Sequence, residues 1–295
     1  MPKSLPRFLL LLALLALLAL PAGCRRAAQA PGDPVAAVKG LAKALRDDDL
    51  LRYSQLSMPP ELRKRVEERW RQRLAQAEPP TEAQQKDYAR WMQRLTAPDA
   101  EAKLFARYDS RMKKIEAELG AQWPLMQATG TIFLNGLVKA NDKLSEAEKE
   151  HARAVGGALL SWLRPELISD RERARQAIAV LAQTARAVEL PTLADTRKLG
   201  MDESMEKGSA LLKAGKRIAR IYGLDLDESL AAVDAKVLSA QGEQATMEVS
   251  YPLFGKTVRF EMELLRRDGR WYPADAVRKA ELDLARPLSA PARPS

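Results

Sequence analysis

Cysteines, histidines and grouped carboxylates carry most protein chemistry, and this chain is poor in the first two. It has one cysteine, Cys24, and one histidine, His151. His151 stands beside Glu150 on what reads as the exposed start of a helix. It has no second His or Cys to work with, which excludes zinc sites and His-based triads in their familiar forms. Asp47, Asp48 and Asp49 put three carboxylates side by side. A calcium loop needs alternating oxygen ligands and a turn glycine, so this run is expected to cap helices and face water. There is no G-x-S-x-G, no P-loop and no Rossmann glycine pattern. Hydrolysis by a pair of carboxylates stays open, because pairing in space is not visible in a sequence. The expectation is a non-catalytic protein without metal or cofactor.

Cys24 ends a leader, MPKSLPRFLLLLALLALLALPAGC. Lys3 and Arg7 give a positive start. Phe8 to Leu20 is an unbroken apolar run, of secretory length and short for a bilayer span. Small residues Ala22 and Gly23 then precede the cysteine. This resembles the lipobox of bacterial lipoproteins, with Pro21 where that family has Leu and the Leu one place earlier, at Leu20. The resemblance implies a signal peptide over residues 1–23, a diacylglyceryl group on Cys24, and palmitate or a similar chain at the mature N-terminus. It also implies that Arg25, rather than Asp, directs the protein to the outer membrane, facing the periplasm. Two alternatives stand beside it: cleavage after Ala28-Gln29-Ala30, which Pro31 hinders, and an uncleaved anchor. A lone exported thiol at a leader's end has no disulfide partner. Acylation gives it a use, since each buried methylene contributes about 0.8 kcal/mol.

These features must sit on a body of some 270 residues after cleavage at Cys24, enough for one large core or two modest ones. The net charge is +9, or about +7 without Lys3 and Arg7. A basic surface suits anionic lipids or envelope polymers as partners, and the compartment argues against nucleic acid. Aromatics make up 5% of the chain and Ala, Leu, Arg and Glu dominate, a composition that favours helix. The fold expectation is α+β: a mostly helical body over 34–232, then a C-terminal antiparallel β-meander of about four strands within 233–285. Residues 24–33 read as a tether, and 286–295 as a disordered tail.

The helical part is punctuated by start signals. Asp33-Pro34 opens a first helix and the Asp run a second. Pro59-Pro60 opens a third, which carries Arg63, Lys64, Arg65, Arg69, Arg71 and Arg73 on its outer sides. Docking of that basic helix on anionic headgroups or a partner is one reading; a face turned to water is the other. Thr81/Gln84, Ser145/Glu148 and Ser169/Glu172 read as capping boxes, and Asp202 as the cap of a helix running to Tyr222. In that last helix Gly208 and Gly215 suggest close approach of another element. Pro98-Asp99 opens a helix that should end near Gly120. Residues 121–138 carry no charge. Leu125, Met126, Thr129, Ile132, Phe133 and Leu137 share one face, so this segment is expected to be buried at the centre of the helical part.

From about Ala235 the period becomes two. Gln241-Gly242, Phe254-Gly255 and Asp268-Gly269 read as the turns between strands. The run VAAVKGLAKALRDDDLLRYSQLS resembles the opening helix pair of ketosteroid-isomerase-like (nuclear-transport-factor-2-like) domains. ATMEVSYPLFGKTVRFEMELLRRDGRWYPAD resembles their closing meander. The departure is the helical segment between the two ends. The resemblance implies a cone-shaped fold with an apolar pocket lined by Met247, Tyr251, Phe260 and Met262. The alternative is a helical domain with an appended sheet, in which the same four are ordinary core. Together these readings favour a lipid-anchored envelope protein that binds a partner protein or an apolar or anionic ligand. A carboxylate-based periplasmic enzyme and a structural or assembly accessory of the outer membrane are the alternatives.

Overall fold

A computed structural model describes residues 29–142 and 144–288. The leader, Cys24 and the last seven residues lie outside that range. The described chain is α+β: twelve helices, with a four-stranded antiparallel sheet in the order β1-β2-β3-β4 near the C-terminus.

The sheet is where the first and last described helices meet. Its strands are β1 (Asp234–Gln241), β2 (Gln244–Leu253), β3 (Lys256–Arg267) and β4 (Arg270–Pro273). Phe254 and Gly255, and again Asp268 and Gly269, have positive φ at both turn positions. That backbone matches the right-handed twist of the flanking strands and locks the register. Met247 therefore sits opposite Met262 and Val249 opposite Phe260. Helix α1 (Pro34–Arg46) starts on Asp33, whose carboxylate accepts from the Ala36 N–H at 2.7 Å. It lays Ala37 and Val38 on Ala235, Ala245, Met247, Val249, Leu264 and Trp271. Its next turns, Leu41 and Ala44, join Leu56 of α2 (Leu50–Ser57) and Leu62 of α3 (Pro60–Gln76). The same cluster takes in Leu265, Tyr272 and Val277, the last on the closing helix α12 (Ala274–Ala285).

Residues 29–33, expected to belong to a free tether, are docked. Ala30 is 1% exposed. The Arg270 guanidinium donates to Ala30 O and to Gln29 Oε1, both at 2.7 Å, and the Trp271 N–H donates to Pro31 O at 3.0 Å.

The remaining helices are α4 (Glu82–Thr96), α5 (Ala100–Lys139), α6 (Glu146–Trp162), α7 (Pro165–Ser169), α8 (Arg171–Val188), α9 (Leu193–Thr196), α10 (Met201–Ile221) and α11 (Leu226–Ala231); α6 and α11 pack on the sheet and α10 on α2, and α4, α5, α7, α8 and α9 form an arm beyond them. The capping boxes at Thr81/Gln84 and Ser145/Glu148 are both formed. Ser169/Glu172 is not: Asp170 takes the cap, accepting from the Arg173 N–H at 3.0 Å, because Ser169 ends the short α7. Gly200, not Asp202, is the N-cap of α10, and Asp202 pairs with Arg63 instead. Gly208 does meet a neighbour, since a Cβ there would lie 3.1 Å from Leu50 Cδ1; nothing approaches Gly215.

The expected break near Gly120 does not occur. α5 runs unbroken for 40 residues, through Pro124. The bond that Pro124 cannot donate belongs to the carbonyl of Gly120, an exposed residue, where water replaces the missing partner at little cost.

Candidate functional site

Three features of this fold could do chemistry or recognition: the face of the sheet, the basic helix and the uncharged half of α5.

On the sheet, the four residues expected to line a pocket are differently placed. Met247 is completely buried between α1 and the strands; Phe260 and Met262 are half-buried against the same cluster. Tyr251 is half-buried beside them, and what it meets was not legible in the sequence. The Tyr251 hydroxyl is 2.6 Å from His151 Nε2, on α6. The His151 ring stacks on Phe260, centroids 4.0 Å apart and 11° from parallel. Further along, Trp162 closes on Phe254 at 4.9 Å. So His151 is not on an exposed helix start; it is the side chain that fastens α6 to β2 and β3. Burial holds its pKa below the usual imidazole range and pushes the Tyr251 hydroxyl up to about 12. Both rings are therefore neutral near pH 7, and one shared proton joins them. Among the described residues, the hydrogen bond of the His151 ring is the one to Tyr251.

The basic helix α3 is spent on internal packing. Arg63 pairs with Asp202. Arg69 donates to Leu284 O at 2.7 Å and to Arg286 O at 3.0 Å, and Arg73 pairs with Asp283. These arginines hold α12 and the first turn of α10. Lys64, Arg65, Arg71 and Arg73 are exposed, while Arg63 and Arg69 are half-buried.

The acidic run is also divided among separate tasks. Asp47 pairs with Lys43, and Asp49 caps α2. Asp48 turns inward to Lys216, 2.6 Å away. The Lys216 ammonium is buried. It also donates to Arg46 O at 2.7 Å and Leu45 O at 3.0 Å, and pairs with Asp227. It therefore satisfies the last carbonyls of α1 with a cation at the helix's negative end. Although burial alone opposes its charge, those carboxylates hold its pKa above the usual lysine range. Among the described residues, no three His, Cys, Asp or Glu are grouped to hold a metal ion.

The uncharged half of α5 reverses its expected orientation. Leu125 (68% exposed), Ile132 (73%) and Phe133 (65%) face solvent, with Met126 and Leu137. The packed side is Trp123, Gln127, Gly130, Leu134 and Val138. Both faces are apolar, and small residues decided between them. Gly130 lets Leu160 approach to 3.3 Å of where a Cβ would be. Gly156 of α6 receives Leu134 so closely that a Cβ there would clash. Gln127 adds a bond to Leu160 O at 3.0 Å. The first half of α5 is pinned by charge instead: Arg171 bridges Asp109 and Glu116, and Arg186 grips Glu101. The result is an apolar stripe of about four turns with no charge on it, and among the described residues nothing covers it. No helix among the described residues is long and apolar enough to cross a membrane.

Two shallow clefts lie elsewhere, one around Tyr88, Trp91 and Arg197, the other around Gln183, Arg217 and Arg220. Neither gathers a nucleophile with a base. Comparison with protein-family models, curated proteins and solved structures found no match.

Proposed function

We propose that this chain is a lipid-anchored protein of the cell envelope. It is held in the outer membrane through Cys24, faces the periplasm, and works without catalysis by binding a partner protein. The observation that carries the binding role is the solvent-facing stripe Leu125, Met126, Ile132, Phe133 and Leu137. An uncharged apolar helix face, read as anchors at i, i+1, i+7, i+8 and i+12, is the surface that a partner's helix or groove takes up. The lipobox-like leader supports the anchor. Its test is the intact mass of the membrane-extracted chain, with Cys24→Ala as control: a chain starting at Cys24 and carrying acyl groups supports it, and an unmodified N-terminus defeats it.

The partner is tested with a photo-activated cross-linker in place of Met126, in cells. A discrete adduct of one size, lost when Ile132 and Phe133 are changed to Ser, is the expected result. Adducts to lipid alone, or to a second copy of the chain, would reject a partner protein.

A further inference from the structure

The cleft around Tyr88 and Trp91 has a volume of about 660 Å³ and lies where the α3–α4 connection passes α4 and α9. Trp91 is 56% exposed. A single apolar residue at the surface needs no explanation, but Trp91 is not single. Tyr88 stands one helical turn before it, ring centroids 6.4 Å apart and tilted by 49°. Pro80 and Leu193 add apolar surface beside the two rings. The polar groups of the cleft are mostly committed to the fold. The Tyr88 hydroxyl donates to Leu190 O at 2.8 Å. Gln84 Oε1 accepts from the Thr81 N–H at 2.9 Å. Arg197 donates to the Glu78 carbonyl, and Asp87 pairs with Arg90. The exception is the Glu78 carboxylate, which has no hydrogen bond or ion pair among the described residues. What the cleft chiefly offers a ligand is two aromatic faces, a proline ring and one free negative charge.

We infer that this cleft binds a proline-rich segment of a partner protein, with an arginine or lysine beside the prolines. A polyproline II helix has no internal hydrogen bonds and is ordered before it binds, so it docks on aromatic surface at low entropic cost. Proline has no N–H, so such a segment asks for few acceptors. Two residues of polyproline II advance about 6.2 Å, which matches the 6.4 Å between the Tyr88 and Trp91 rings. Alternate ligand residues can therefore lie on the two rings. The basic residue complements the Glu78 carboxylate, with the Trp91 indole in the same cleft to attract a cation. A saccharide would need partners for its many hydroxyls, and here Gln84 Oε1, Tyr88 and Arg197 are already engaged. The cleft shares no residue with the α5 stripe, so this binding stands apart from the role proposed for that stripe.

The test is fluorescence anisotropy with the full chain in detergent and two dye-labelled peptides. One is six prolines followed by an amidated arginine; the other has glutamate in place of the arginine. Saturable binding of the arginine peptide, several-fold tighter than that of the glutamate peptide, is expected. Trp91→Ala should weaken it about ten-fold or more, as for an aromatic anchor. Glu78→Gln should erase most of the preference for arginine over glutamate. Both side chains are exposed, and an unchanged circular dichroism spectrum and melting temperature checks that each variant is folded. No saturable binding below about 1 mM, or binding that Trp91→Ala leaves unchanged, overturns the proposal. So does Trp91-dependent binding of a chitin oligosaccharide with none of either peptide, which would make the cleft a saccharide site.

Discussion

The sheet core and the helical arm are built from similar apolar residues and use them in opposite ways. Where α1, α2 and α12 meet the strands, the apolar side chains close into two buried clusters. α1 buries five of its thirteen residues, whereas α5 buries four of forty. The difference lies in the number of neighbours. α1 is surrounded by the sheet, α2 and α11, whereas α5 packs on helices along one side only. The lesson is that periodicity identifies an apolar face and says nothing about whether a second element arrives to cover it.

The largest effect should come from the buried cation. Lys216→Ala removes the cation paired with Asp48 and Asp227 and the donor to Arg46 O and Leu45 O, and should cost about 3 kcal/mol of unfolding free energy in urea titration. A loss under ~1 kcal/mol would mean that the α1 terminus is satisfied by water. Next, Met247→Ala should cost about 3 kcal/mol, as expected for a fully buried thioether chain. The matched change Met126→Ala on the α5 stripe should move stability by no more than about 0.5 kcal/mol. Equal losses at the two sites would abolish the contrast between core and arm.

A smaller contrast lies within α6. Gly156→Ala drives a methyl into Leu134 and should cost about 1 kcal/mol net, overpacking outweighing the gain in helix propensity. Gly157→Ala meets nothing within 4 Å and should add up to about 1 kcal/mol. Opposite signs in thermal melts would confirm that α5 and α6 touch at one glycine and not its neighbour.

The smallest effect is that of pH. His151 is neutral in the fold with its pKa lowered by burial, so the unfolded chain binds the extra proton. Stability from this group is full above the unfolded imidazole pKa, about 6.5, and falls as pH drops below it. His151→Phe should flatten the melting temperature between about pH 6.5 and 5. If the slope stays unchanged, other groups carry it.

Much of the fold was legible because local chemistry decided it. Asp33-Pro34, Thr81/Gln84, Ser145/Glu148 and the three turns with glycine each specify a backbone conformation within a few residues, and all appear. What failed depended on distant partners. Ser169 and Asp202 look like caps, but the true caps are one or two residues away, because the elements before them end where packing requires. The inward face of α5 was misassigned because Gly130 and Gly156, not its larger side chains, admit the neighbour. His151 read as solvent-facing because Phe260 and Tyr251, about a hundred residues downstream, give no local sign of their approach. The expected pocket residues do share the sheet's inner face, and which element covers them was beyond any pattern of period two.

The docked residues 29–33 and the register shift between Val237 and Ser239 also settle how this sheet avoids growing. β4 is shielded along its outer side by residues 29–31, and β1, the other margin, carries a bulge at Leu238 with mostly exposed side chains. An extended chain looking for a ladder of unpaired N–H and C=O groups finds one margin occupied and the other kinked out of register. The sheet therefore offers neither margin as a ready template for edge-to-edge pairing.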